Sequence, residues 1–151
     1  MRVGAALAFL LIAGCGLGGS AQATPSSSPL TSPLATASGQ LHAQVPAPAG
    51  FPTDVPTYPG SRLTAGASFV SSGQATWSME WETLDAVAKV QAFYAGKMNR
   101  GDWTITFSST SSTAFAATFA RKSNSHVTGF LASSNASGVT KILMSLLEVS
   151  G

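Results

Sequence analysis

The sequence predicts an α+β domain in which one helix packs on an antiparallel sheet of about five to six strands. Three observations lead to this class: short segments that alternate apolar and polar residues, a single helical stripe of apolar residues, and turn-forming residues between them. The elements follow in the order two strands, one helix and about four strands. This order favours antiparallel neighbours with the helix across one face of the sheet.

The strand signal is clearest at residues 75–82, where the letters ATWSMEWE alternate apolar with polar side chains. Such alternation is typical of a strand with one buried and one solvated face. We therefore expect Trp77 and Trp81 to lie in the core. Residues 62–69 predict a preceding strand, and Gly73 lies in the turn between the two.

A helix is predicted after this strand, with the hydroxyl of Thr83 as its N-cap and Asp85 in its first turn. Gly101 is placed to end it, beyond two basic residues that suit a helix C-terminus. The apolar residues that share one helical stripe are Leu84, Val87, Val90, Tyr94 and Met98.

Four further strands follow in the prediction. Residues 103–107 and 115–119 form a hairpin, with Trp103 in the core, and residues 126–133 and 139–149 are joined by the turn-like letters NASG. The last segment is apolar on both faces, so we expect it at the centre of the sheet.

Length and charge limit the classes of function. The 151 residues leave room for one ordinary domain, and only 9% of them are charged, against roughly 25% in typical soluble domains. The net charge of +2 includes Arg2, which lies in a segment expected to be removed. No basic patch is apparent, so a nucleic acid partner is not expected.

The first residues have the features of an export signal. A basic start is followed by the apolar run VGAALAFLLIAG, which is too short to span a bilayer but suits the hydrophobic region of a signal peptide. The run ends in Leu11-Ile12-Ala13-Gly14-Cys15, an aliphatic residue and two small residues before a cysteine. This pattern resembles the lipobox of bacterial lipoproteins. The resemblance implies cleavage before Cys15 and acylation of that cysteine, the only one in the chain.

The sequence therefore predicts three parts of the chain. Residues 1–14 are the signal peptide, and residues 15–50 are the lipidated cysteine and a Ser/Thr/Pro/Ala-rich tether that we expect to be disordered. Residues 51–151 are the folded domain. An alternative is cleavage after Ala23, at an A-x-A site, which would discard Cys15 and release a secreted soluble protein.

The folded part resembles small exported bacterial domains of uncharacterised function. Tyr58-Pro59-Gly60 forms the entry that they share, Phe93-Tyr94 lies on their helix, and Gly101-Asp102-Trp103 matches their exit with one inserted residue. These are packing and turn residues. The resemblance supports the fold and implies no chemistry.

No catalytic, metal or cofactor site is predicted. The chain has two histidines, His42 in the tether and His126 at a turn, and no motif of a serine hydrolase, zinc site or phosphate loop. Arg100-Gly101-Asp102 is better explained as a helix end than as an adhesion motif. Glu80 and Glu82 lie on one strand face, roughly 6 to 7 Å apart, within the range of a glycosidase pair. Their polar surroundings favour an exposed strand face.

The leading hypothesis is a lipid-anchored binding or envelope-associated protein on the extracytoplasmic side of the cell membrane or outer envelope. Its partners are the membrane, through Cys15, and a protein or envelope component. The alternative is an envelope hydrolase that uses surface carboxylates such as Glu80 and Glu82. A third hypothesis, an oligomer, rests on the doubly apolar last strand.

Lipidation at Cys15 is directly testable. Cells that express the chain and are fed a clickable fatty acid should label the wild-type protein, and the Cys15→Ala variant should lose all label because it lacks the acceptor thiol. The mature N-terminus, read by mass spectrometry, provides the control. A wild-type protein that begins at Thr24 and carries no label would contradict the lipid anchor.

Overall fold

The computed structural model describes residues 39–150, which contain one sheet and one helix. The elements in chain order are β1 (Arg62–Ser71), β2 (Gln74–Thr83), α1 (Val87–Lys97), β3 (Trp103–Thr110), β4 (Ala114–Arg121), β5 (Val127–Ala136) and β6 (Val139–Val149). The strands form one antiparallel sheet in the order β1-β2-β6-β5-β4-β3. Strands β1 and β3 are therefore its two edges.

The sheet buries its large side chains on one face, which we call the inner face. Trp77 and Trp81 of β2 are almost fully buried, as is Trp103 of β3, which confirms that the tryptophans are core residues. Trp77 pairs with Leu146 of β6, and Trp81 pairs with Ile142. Because paired residues of neighbouring strands point to the same face, these side chains pack side by side.

Strand β6 lies at the centre of the sheet, between β2 and β5, as the sequence predicts. Ile142, Met144 and Leu146 are buried on the inner face. On the opposite face, which we call the outer face, Leu143 remains 45% exposed. Leu143, near the middle of this outer face, is therefore only partly covered by the described part of the chain.

The helix is shorter than predicted and begins later. Thr83 remains in β2, where its hydroxyl accepts a hydrogen bond from the backbone N–H of Asp85, and Ala86 is the N-cap without a side-chain bond. Leu84, assigned to the buried stripe by its spacing, is 61% exposed because it precedes the helix. The predicted stripe is correct for Val87, Val90, Tyr94 and Met98, which are buried.

The predicted α+β class is wrong, because the domain is mostly β. Its one helix has only 11 residues and contacts β3, β4 and β5. Over β1 and β2 the inner face is covered by irregular chain, in which Phe51 packs on the rings of Trp77 and Trp81. A regular helical stripe in the sequence shows that a helix exists. It does not show how much of the sheet that helix covers.

The described part of the predicted tether, residues 39–50, lies against the sheet. The N–H of Val45 donates to the carbonyl oxygen of Leu63 at 2.9 Å, and the indole N–H of Trp77 donates to the carbonyl oxygen of Ala49 at 3.3 Å. Pro48 packs over Gly66 of β1. Residues 39–50 therefore contribute to the folded domain in the structure. Residues 1–38, including Cys15 and the predicted signal peptide, lie outside the described residues.

The turn predicted at the letters NASG joins β5 to β6 through Ser137 and Gly138. Their φ angles are 51° and 78°. Positive φ at both central residues is the geometry of the tight hairpin turn whose twist matches that of the strands. Within residues 39–150, no helix is long and apolar enough to cross a membrane.

Gly129 of β5 lies under the ring of its cross-strand partner Phe119. A Cβ at this position would overlap Cζ of Phe119 and would lie 2.6 Å from the carbonyl oxygen of Ser145. The core therefore needs a glycine here. Gly96 in α1 differs, because an added Cβ there meets nothing within 4 Å.

We expect Gly129→Ala to lower the free energy of unfolding by about 1 to 3 kcal/mol, since the ring and the backbone must shift to admit the methyl group. The matched control Gly96→Ala should raise it by about 0.5 to 1 kcal/mol, because alanine restricts the unfolded chain and suits a helix. Urea unfolding measures both values. Equal effects of the two substitutions would contradict the packing described for Phe119.

Candidate functional site

A buried carboxylate joins the N-terminal segment to the sheet. The side chain of Glu82 in β2 is 0% exposed. One of its oxygens accepts a hydrogen bond from the backbone N–H of His42 at 2.9 Å, and the other lies 2.7 Å from Nδ1 of the same histidine. The ammonium group of Lys141 is 3.5 Å from Glu82 and 2.9 Å from Glu80. Arg62 donates to the carbonyl oxygen of His42.

These contacts determine the charge state of Glu82. Burial alone would raise the pKa of its carboxyl group, because removal from water disfavours the charged form. The backbone and side-chain hydrogen bonds from His42, and the charges of His42 and Lys141, outweigh burial and hold the pKa of Glu82 below its usual value of 4.5. Glu82 is therefore an ionised anchor for the segment that carries His42.

The geometry gives no support to a carboxylate hydrolase at Glu80 and Glu82. A glycosidase acid must hold its proton near neutral pH, which requires a raised pKa, whereas the pKa of Glu82 is lowered. Lys141 also lies between the two carboxylates and binds both. The expectation of an exposed polar strand is wrong at Glu82, because His42 and its neighbours cover this end of β2.

The outer face of the sheet offers a second candidate site. It carries mostly small side chains, and two depressions lie next to each other on it. One, of about 410 Å³, is lined by threonines of β3, β4 and β5. These threonines are Thr104, Thr106, Thr118 and Thr128. We call this space the threonine depression.

The other depression, of about 480 Å³, is lined by Ala65 and Ala67 of β1 together with Ser78 and Leu143. We call it the alanine depression. Its one charged lining residue is Glu80, whose carboxylate is bonded to Lys141. Ala65, Ala67 and Ser78 have small, exposed side chains, which leave this space open.

Phe130 and Ser145 line both depressions, so the two form one groove. Phe130 is 46% exposed and Leu143 is 45% exposed, which is unusual for large apolar side chains near the middle of a sheet. Contiguous exposed apolar surface of this kind typically marks an interaction site. The groove can take a ligand that is apolar in part and uncharged.

This groove is not evident in the sequence. Its residues alternate with the core residues, and their small or hydroxyl side chains are indistinguishable in sequence from an ordinary solvated face. One signal was present: β6 is apolar on both faces, which the outer-face position of Leu143 explains.

The structure also places the other residues that the sequence analysis considered. His126 is exposed. The prediction that Gly101 ends the helix is wrong, because α1 ends at Lys97 with Met98 as its C-cap, and Gly101, with a positive φ of 66°, lies in the turn that leads to β3. Asp102 accepts hydrogen bonds from the N–H and hydroxyl of Ser123, and those bonds, with Arg121, lower its pKa. Its carboxylate is therefore occupied within the fold. No cluster of three potential metal ligands occurs among residues 39–150.

A comparison with protein families gives one match. A family model described as START domain-like matches residues 63–128. The matched region runs from β1 through α1 to the start of β5, so it includes both edge strands and excludes β6. Comparisons with curated proteins and with solved structures gave no match.

The anchor at Glu82 predicts a pH dependence. Because the pKa of Glu82 is lower in the folded than in the unfolded protein, its contribution is complete above about pH 4.5 and is lost as the pH falls through the folded pKa. We expect Glu82→Gln to cost about 1 to 3 kcal/mol at pH 7, and this cost should shrink on acidification.

Urea unfolding between pH 7 and pH 2 measures this difference. The control is Glu80→Gln, which alters a partly exposed pair with Lys141 and should cost less than about 1 kcal/mol. A cost of Glu82→Gln that stays constant down to pH 2 would contradict the ionised anchor.

Proposed function

We propose that this chain is a lipid-anchored extracytoplasmic binding protein whose outer-face groove takes a neutral ligand that is partly apolar. The observation that carries the proposal is the pair of adjoining depressions around Phe130, on a part of the outer face where Phe130 and Leu143 remain exposed. The START domain-like match over residues 63–128 is consistent with a ligand-binding role.

The two halves of the groove differ in chemistry. Methyl and isobutyl groups line the alanine depression, and these bind hydrocarbon through the hydrophobic effect. Hydroxyl groups line the threonine depression and can donate or accept hydrogen bonds without any net charge. A ligand with an apolar chain next to an uncharged hydroxylated group therefore matches both halves.

The groove should select its ligands by their charge. None of the residues that line the threonine depression is charged, and Glu80 in the alanine depression is neutralised by Lys141 at 2.9 Å. A charged group in the groove would lose water without gaining a partner, which is unfavourable. The groove should therefore discriminate against charged amphiphiles of equal chain length.

The proposed location follows from Cys15, with a membrane as its partner through the lipid. Two acyl chains suffice for stable anchoring. The ligand is then a component of the cell envelope or a molecule that reaches it. Secretion after cleavage at Ala23 is the alternative, and it leaves the groove and its ligand class unchanged.

The test is a titration with octyl glucoside, octanoate and octyltrimethylammonium, each below its critical micelle concentration, followed by NMR shifts of backbone amides. We expect octyl glucoside to bind several-fold more tightly than either ion and to shift the amides of Phe130, Ser145 and Thr118.

Ser145→Leu should weaken binding about tenfold, equivalent to about 1.4 kcal/mol, because the larger side chain fills the space shared by the two depressions. The matched control Ser109→Leu makes the same change at an exposed position outside the groove and should have no effect. Shifts that avoid the outer face, or equal affinity for all three probes, would contradict the proposal.

A further inference from the structure

The edge strand β1 has an open hydrogen-bonding side. In the sheet order it pairs with β2 alone, and its residues from Ala65 to Ser71 are exposed. Every second residue of such a strand turns its N–H and C=O groups away from its partner, so along the open side from Ala65 to Ser71 these groups have no backbone partner within residues 39–150. Phe69 and Val70 are 67% and 75% exposed, the highest values among the large apolar residues described.

Nothing in β1 protects this edge. Natural sheets protect their edges with charges, prolines or bulges, because an open edge pairs readily with another strand. The segment from Leu63 to Ser72 has no charge and no proline. Its bulge lies at the beginning, between Leu63 and Ala65, and the pairing with β2 is regular from Ala65 to Ser71. At the other edge, a bulge between Phe107 and Ser109 interrupts β3.

The N-terminal segment pairs with the edge of β1 at Val45 and does not continue along it. The N–H of Val45 donates to Leu63, but the next positions are Pro46, Ala47 and Pro48. Prolines have no N–H to donate, so pairing cannot continue along the edge. The open stretch from Ala65 to Ser71 is therefore bounded by the Val45 contact at one end and by the turn at Gly73 at the other.

We propose that β1 pairs antiparallel with β1 of a second copy of this chain, with the twofold axis near Ser68, so that the two sheets become one. A strand that pairs with itself in this way satisfies the symmetry of a closed dimer. The length of the open stretch is the same on both copies. No like charges meet, because the stretch carries none.

This register matches large side chains with small ones. With Ser68 opposite Ser68 of the second copy, Phe69 lies opposite Ala67, and Val70 lies opposite Gly66, where Pro48 offers an apolar surface. Because the dimer is twofold symmetric, each of these two residue pairs occurs twice. The two most exposed apolar side chains of the described domain are thereby covered.

The pairing also extends the groove. Ala65, Gly66 and Ala67 form the β1 side of the alanine depression, which is open at the sheet edge. Phe69 of the second copy would lie beside Ala67 and form a wall there. This consequence rests on the proposed function, whereas the pairing of the two edges does not.

Sedimentation velocity of the full chain carrying Cys15→Ala, over a hundredfold range of concentration, tests the pairing. We expect a reversible dimer. Ser68→Lys should weaken it at least tenfold, because two ammonium groups would face each other at the axis. The matched control Thr110→Lys places the same charge on the exposed end of the other edge strand, β3, and should leave the dimer unchanged.

A thermal unfolding curve of Ser68→Lys close to that of the wild type establishes that the exposed substitution does not unfold the domain. A wild-type chain that stays monomeric at the highest concentration, or a dimer that Ser68→Lys leaves intact, would overturn the inference. Octyl glucoside titration of the same samples separates the proposals. Binding by a monomer supports the function without the dimer, and a dimer without binding supports the reverse.

Discussion

The structure depends on a single constraint: one sheet must bury one face with very little helix available to cover it. The inner face carries all three tryptophans. Because α1 has only 11 residues, it covers only the part of the sheet that contains β3, β4 and β5. The aromatic residues over β1 and β2 need another cover, and irregular chain around Phe51 provides it. The hydrophobic effect thus recruits residues that have no regular secondary structure into the core.

That cover is held by polar contacts at its beginning. Glu82 is buried under His42, and the two hydrogen bonds between them attach residues near position 42 to the end of β2. Lys141 connects this anchor to Glu80, which lines the alanine depression. The anchor and the groove therefore share one network of charges, although the first is structural and the second is the proposed binding site. Residues 39–42 lie over the outer face at Glu82 and Val139, and farther along that face Phe130 and Leu143 stay exposed.

Much of the local structure was predictable, because local structure leaves a periodic pattern. The alternation around Trp77 and Trp81 identified β2 and its buried face, and the double apolar pattern identified β6 as central. The start of the helix was not predictable from spacing, since Leu84 fits the stripe as well as Val87 does. Glu82 was expected in water, because its alternation with Trp81 is the same whether or not His42 lies over it. The groove was missed for a related reason: threonine and alanine on an outer face look like ordinary surface.

The sequence by itself determined which residues form strands, which face of each strand is apolar, and that Cys15 ends an apolar run in the pattern of a lipobox. These properties depend on neighbours within a few positions. Only the tertiary structure decided that the domain is mostly β, that Glu82 is a buried anchor and that the outer face forms a groove around Phe130. Each of these depends on residues far apart in the chain, such as His42 with Glu82 or Thr104 with Ser145. Such contacts are set by the tertiary arrangement of the sheet and the chain packed on it, and no local pattern records them.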